Sequence, residues 1–162
     1  IFNLCMHKKL LNTYIFIDKL NHQVIKHINT KTGVIYRNYN CKNRHETLIK
    51  VAEICKKKRS QLFISNNLEL VLKVKADGIY IPSFSKFHNF SLNLNKKIMV
   101  LGSAHNQMEI HNKISQKCHA IFLSPAFLTN KYKSKKYLGI TRFNLLCLRN
   151  NVNFYALGGI TK

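Results

Sequence analysis

Acidic residues are scarce in this chain: six Asp and Glu stand against 27 Lys and Arg, a formal net charge of +21. That balance disfavours a cationic substrate. No apolar run reaches about 18 residues, the least a membrane span needs, so no transmembrane segment is expected. The opening residues Ile1 to Lys9 lack the basic start, long apolar run and small-residue cleavage site of a secretory signal. The chain opens on Ile and is read as a fragment or a processed product. Five cysteines, at positions 5, 41, 55, 118 and 147, are odd in number and contain no C-x-x-C pair. No Cys/His group has the spacing of a structural zinc site. Reduced, packed thiols in a soluble, cytoplasmic domain are the expectation.

What is present points to a folded core. Hydrophobic residues make up 46% of the 162 residues and mean hydropathy is −0.17, which excludes a disordered or fibrous chain. The length suits one domain, or most of one, over residues 1–162. The charge has two readings. Twenty-two of the 27 cations are Lys and only five are Arg, at 37, 44, 59, 142 and 149. Lys, Asn and Ile together are the residues of AT-rich codons, so the excess is either compositional drift or a field for an anionic ligand. The charge alone does not choose between DNA, RNA and a small phosphate ester.

Hydrophobic periodicity alternates short β-type runs with helical stretches. Strands are expected at 13–18, 33–37, 61–65, 78–81, 97–102, 119–124 and 152–157. Helices are expected at about 20–29, 44–58, 67–74, 106–116 and 139–149. In the second helix Leu48, Val51, Ala52 and Cys55 share one face. Such alternation predicts a parallel sheet wrapped by helices. With no nucleotide-type G-x-G-x-x-G, a (β/α)8 barrel is favoured over a doubly wound sheet. A complete barrel typically needs about 200 residues or more, so strand eight and its helix are expected to be missing. Strands one and seven would then present unpaired edges, a template for self-association.

In such a barrel, function gathers at the carboxyl ends of the strands. The residues expected there are Asp18, Arg37 to Tyr39, Asn66-Asn67, Pro82-Ser83, Ser103-Ala104-His105, Pro125 to Lys133 and Gly158-Gly159. Donors are many and carboxylates few, a lining that suits phosphate. Gly158-Gly159 forms either a tight βα turn or a phosphate contact, the seventh and eighth loops being common phosphate holders. The run Lys131 to Tyr137 is a solvated loop, a lid over phosphate, or an RNA contact. Lys56-Lys57-Lys58-Arg59 reads as a helix end whose cations offset the dipole rather than as a localisation tag. His105 is a helix cap or ligand contact, with general base as the alternative. Ser103 has no Asp/His relay recognisable from spacing, which argues against a hydrolase triad.

Five ordered segments resemble one family, thiamine phosphate synthase with its relative the thiazole tautomerase. Leu62-Phe63-Ile64-Ser65-Asn66-Asn67 is similar to I-x-N-D, and Ala76-Asp77-Gly78-Ile79-Tyr80 to A-D-G-V-H. Leu101-Gly102-Ser103-Ala104-His105 resembles G-x-S-x-H. Ser124-Pro125-Ala126-Phe127-Leu128-Thr129, followed by Leu138-Gly139, resembles G-P-x-F-P-T…L-G. Tyr155-Ala156-Leu157-Gly158-Gly159-Ile160 is close to V-A-I-G-G-I. The resemblance implies the (β/α)8 barrel independently of the periodicity. It also implies a transferase of thiamine biosynthesis that joins hydroxymethylpyrimidine diphosphate to thiazole phosphate and releases pyrophosphate.

Carried over residue by residue, the resemblance implies that Arg37 faces pyrophosphate and that Asn66, with Asn67 beside it, faces the leaving group. Ser103, His105 and Thr129 would meet polar substrate atoms, Gly158 and Gly159 the thiazole phosphate, and Lys131 would be the catalytic lysine of the sixth loop. The departures from the family pattern are specific. Its metal-binding Asp after the third strand is Asn67, and its acidic fourth loop is Pro82-Ser83-Phe84-Ser85. The Gln and Lys flanking the arginine are Ile35 and Tyr39, and the tautomerase histidine beside Pro125 is Ser124. Of six carboxylates only Asp18 is expected at the rim. Because Mg²⁺ is usually held by one or two carboxylates plus substrate oxygens, Mg²⁺ is expected only through bound pyrophosphate, with no protein metal site. Three readings follow. They are a divergent synthase whose basic rim replaces part of the metal's role, a member without synthase activity that binds a phosphorylated pyrimidine or thiazole, and a basic nucleic-acid-binding module.

Overall fold

The computed structural model describes residues 9–39, 43–85, 98–129 and 137–160. These fall into two compact units, one reaching Tyr80 together with residues 98–99, the other holding residues 81–85 and those from Val100 onward. The first unit carries β1 (Thr13–Ile17), α1 (His22–His27), β2 (Thr32–Tyr36), α2 (Arg44–Lys57), β3 (Gln61–Ser65), α3 (Leu68–Lys73) and all but the last residue of β4 (Gly78–Ile81). Its strands pair in parallel and in chain order: Ile17 opposite Tyr36, Tyr36 opposite Ile64, Ser65 opposite Tyr80. A doubly wound sheet reverses its strand order at a switch point; this one does not. β2 is buried throughout, and so are Leu62 to Ser65 of β3. Strands covered on both faces read as continuous apolar runs, which is why their periodicity is not alternating.

The second unit carries β5 (Met99–Ala104) from Val100 onward, α4 (Gln107–Ser115), β6 (Ala120–Leu123), α5 (Gly139–Arg149) and β7 (Asn153–Ala156). Its ladders are again parallel and sequential, Leu101 opposite Ala120 and Leu123 opposite Ala156. Asparagines start three of the helices: Asn21, Asn67 and Asn106 each accept a hydrogen bond from the backbone N–H three residues on. The expected β5 was set too early. It begins at Met99 and runs through Ala104, with Lys97 outside the described residues. Gly102, read as a strand end, sits inside the strand, where a Cβ would lie 2.9 Å from both Lys113 Cδ and Cys118 Sγ. Helix α1 is shorter than the expected 20–29, because Asn21 caps it and Ile28 has turned extended at φ −76°, ψ 123°.

Candidate functional site

The carboxyl end of β2 places Arg37, whose N–H donates to Ile17 O at 2.9 Å and keeps the ends of β1 and β2 together. Asp18, the residue after β1, is thereby brought against it. Arg37 Nε donates to Asp18 Oδ1 and Nη2 to Oδ2, both at 3.2 Å, a two-pronged ion pair. The guanidinium lies 5.4 Å from the centre of the Phe16 ring. Its pKa is raised, first by the hydrogen bond to Asp18 and against the opposing effect of burial. Across β2 and β3, the Tyr39 hydroxyl and Ser65 Oγ share a hydrogen bond of 2.6 Å. Arg44, the first residue of α2, donates from Nη2 to Ser65 O at 2.7 Å and stands 6.0 Å from the Tyr39 ring centre. Arg44 Nε is buried without a hydrogen-bond partner. Burial pushes the Tyr39 phenol up, while Ser65 and the two guanidinium groups pull it down. Arg44 thus stands beside the Tyr39 phenol, and the charge of Arg37 acts on the same group.

Asn66 and Asn67 follow β3 and behave differently. Asn66 adopts a left-handed φ of 53°, a conformation Asn tolerates better than most residues, and its N–H donates to Tyr80 O at 2.9 Å. Asn67 Oδ1 accepts from Leu70 N at 2.8 Å and caps α3. A carboxamide committed to a helix cap and bearing no charge is a poor ligand for Mg²⁺. Asp18 is engaged by Arg37, and no acid lies among residues 82–85. Among the described residues no three His, Cys, Asp or Glu side chains gather as a metal cluster. These residues do not fit a protein-held metal.

In the second unit the sixth-strand end is built around a cis Ser124–Pro125 bond. His105 Nδ1 lies 2.5 Å from Ser124 O and 3.3 Å from Ser124 Oγ, and Nε2 lies 3.1 Å from Ser83 Oγ. A carbonyl only accepts, so Nδ1 carries the proton, and a neutral ring then accepts from Ser83 through Nε2. The expected cap role passes to Asn106: its Oδ1 accepts from Glu109 N at 2.9 Å, while His105 N donates to Glu109 Oε2 at 2.7 Å. Ser103 is 6% exposed inside β5. After β7, Gly158 and Gly159 take φ of 91° and 72°. Phe127 N donates to Gly158 O at 3.0 Å, and Thr129 Oγ1 is buried without a hydrogen-bond partner close by. Lys131 lies outside the described residues.

The structure thus gathers Arg37, Asn66 and Asn67 at strand ends of the first unit, and His105, Thr129, Gly158 and Gly159 at strand ends of the second. Sequence reasoning missed Arg44 as a second guanidinium at the β2–β3 end. The available signal was its place as the first helical residue after β2, the same end of the strands as Arg37. It also missed the Asp18–Arg37 pair, which depends on the β1–β2 register.

Parallel strands in chain order, most of them followed by a polar residue at the carboxyl end, define a singly wound β/α protein. The family model for thiamine monophosphate synthase matches residues 14–162. The thiamine-phosphate synthase of one Prochlorococcus marinus strain is 30% identical over 142 residues, 82% of this chain and 40% of that protein. The putative thiamine-phosphate synthase 2 of Aquifex aeolicus is 29% identical over 111 residues, 68% of this chain and 60% of that protein. The solved thiamine phosphate pyrophosphorylase from Pyrococcus furiosus shares the fold, with a TM-score of 0.71 at 13% identity over 93% of this chain and 76% of that one. The chain belongs to the thiamine monophosphate synthase family. It spans 40% of the length of the Prochlorococcus relative. No helix among the described residues is long and apolar enough to cross a membrane.

Proposed function

We propose that the chain is part of the barrel domain of a divergent thiamine phosphate synthase, coupling hydroxymethylpyrimidine diphosphate to thiazole phosphate. The bond from the pyrimidine methylene carbon to the diphosphate oxygen breaks, and the electron pair leaves with pyrophosphate. The thiazole nitrogen then supplies the pair for the new carbon–nitrogen bond. Arg37 receives the departing diphosphate, Asn66 assists at the leaving group, and Lys131 adds the sixth-loop cation. The backbone of Gly158-Gly159 with Thr129 takes the thiazole phosphate, while Ser103 and His105 meet polar substrate atoms. Any Mg²⁺ arrives on the pyrophosphate. The observation that carries this reading is the Arg37 fork, whose two nitrogens already hold paired oxygens at 3.2 Å.

A second reading, a member that binds the phosphorylated pyrimidine or thiazole without joining them, is favoured by one observation. Asn67 stands in place of the family's metal-binding Asp and is used as a helix cap. A coupled assay with both substrates separates the two: pyrophosphate release and thiamine phosphate formation are expected, and binding without turnover would favour the second. Arg37→Ala should weaken pyrophosphate by about 2–3 kcal/mol, the range for charge-assisted hydrogen bonds. Lys56→Ala, in the last turn of α2, should leave it unchanged. Equal small losses with steep salt dependence would instead identify a diffuse basic surface of the kind that binds nucleic acid.

A further inference from the structure

The fork of Arg37 is occupied. Asp18 takes both Nε and Nη2, the same edge that a diphosphate oxygen pair would take. The two side chains are 39% and 58% exposed, so the pair is solvated, and an exposed ion pair contributes little to stability. Arg37 has anchors besides Asp18. Its backbone is tied to Ile17 O, and the Phe16 ring lies beneath its guanidinium. A ligand that displaces the carboxylate takes over the same two nitrogens, while the displaced carboxylate remains on the residue following β1. There its charge opposes any anion held by Arg37.

We propose that Asp18 is the affinity-setting residue of this anion site, a resident counter-ion displaced by pyrophosphate and returning to expel it. The proposal rests on the reading of Arg37 as the diphosphate contact and adds a way to release the product. Tight holding of pyrophosphate after bond cleavage would stall turnover; a carboxylate competing for the same two nitrogens prevents that. The other ionisable groups acting on the guanidinium are the phenols of Tyr39 and Tyr80. Neither offers a carboxylate's pair of oxygens.

Titration calorimetry with inorganic pyrophosphate and no metal tests this on the whole chain, with stopped-flow dissociation as a second readout. Asp18→Asn and Asp18→Ala are expected to tighten pyrophosphate about tenfold, mainly through slower dissociation, a change equivalent to about 1.4 kcal/mol. Ala at this position also removes any residual hydrogen bond to the fork. In an Arg37→Ala background, Asp18→Asn should have no effect, because the contested group is gone. Glu53→Gln makes the same change in net charge from an exposed helical position and should leave affinity unchanged. An equal gain from Glu53→Gln would overturn the proposal in favour of a general charge effect. Unchanged or weaker binding by both Asp18 variants, with Arg37→Ala still weakening it, would overturn the counter-ion role and leave the anion site standing. No loss with Arg37→Ala would overturn the underlying site itself.

Discussion

Three glycines of the second unit share a positive φ but differ in the space around them, so replacing each by Ala isolates the two contributions to a glycine requirement. Gly139, Gly158 and Gly159 have φ of 69°, 91° and 72°. Left-handed backbone costs an L-residue about 1–2 kcal/mol, and Ala restores about 0.4–1 kcal/mol by stiffening the unfolded chain. A Cβ on Gly139 meets nothing closer than Tyr137 Cε2 at 3.9 Å, so the expected net loss is about 0–1.5 kcal/mol. On Gly158 the nearest atoms, on Pro125 and Thr129, lie at 3.5 Å, ordinary contact, but φ is further from the favoured basin. About 1–2 kcal/mol is expected there. On Gly159 the new atom would lie 2.5 Å from Leu128 O and 2.6 Å from Phe127 C. Those are backbone atoms that cannot rotate aside, and overpacking adds about 1–3 kcal/mol to the backbone cost found for Gly139, for a total of about 1–4.5 kcal/mol. Urea unfolding followed by circular dichroism gives the three midpoints, with a constant slope verifying that the transition is unchanged in kind. Equal losses at all three positions, or a smaller loss at Gly159 than at Gly139, would refute the reasoning.

Asn67→Ala should remove a helix cap and lower stability by about 0.5–2 kcal/mol in the same unfolding assay, whereas Asn67→Asp keeps an acceptor at that position and should be near neutral. In the coupled assay with Mg²⁺, Asn67→Asp should raise turnover. Lys113 is fully buried, with Nζ donating to Ser85 O at 3.1 Å and Gln116 Oε1 at 3.0 Å. Burial lowers its pKa, partly offset by Cys118 and Glu109. Above the folded pKa and up to 10.5 the unfolded chain holds more protons, so the stability of wild type relative to Lys113→Met should rise with pH through that window in parallel urea melts. Burial pushes the thiols of Cys55 and Cys118 up to about 12. A thiol-disulfide reagent should therefore label Cys147, which is half-buried, well before either, with mass spectrometry reporting the order.

Legibility in the sequence followed the locality of the cause. β3 and β4 lie where the apolar runs 61–65 and 78–81 place them, because Ser60 and Asn66 bracket the first and Asp77 and Pro82 the second. β5 extends past its expected end to Ala104, and the close approach of Lys113 and Cys118 at Gly102 is a tertiary contact that strand alternation does not reveal. Arg37 at the end of β2 was legible from the same run that buries Val34 to Tyr36. Its partner was not, because Asp18 meets it only through the register that sets Ile17 opposite Tyr36. Asn67 shows the converse. Immediately before the helical turn that opens at Leu68, it satisfies the rule for a helix cap, and the hydrogen bond from Leu70 N, three residues on, follows that local rule. Arg44 needed both kinds of information, a helix start for its position and tertiary packing for its bond to Ser65 O.

Strand order equal to chain order has a consequence for how the protein is made. In the first unit β1 pairs with β2, β2 with β3 and β3 with β4, so each of these three pairings joins strands that are neighbours in the chain. Synthesis at ~5–20 residues per second delivers the first 80 residues over roughly 4–16 s. Helix formation and loop closure take microseconds or less. Each newly emerged strand therefore samples pairing with its predecessor many times over before the next one is complete. Assembly of these strands can advance in chain order at the pace of translation, with each finished crossover serving as the template for the next.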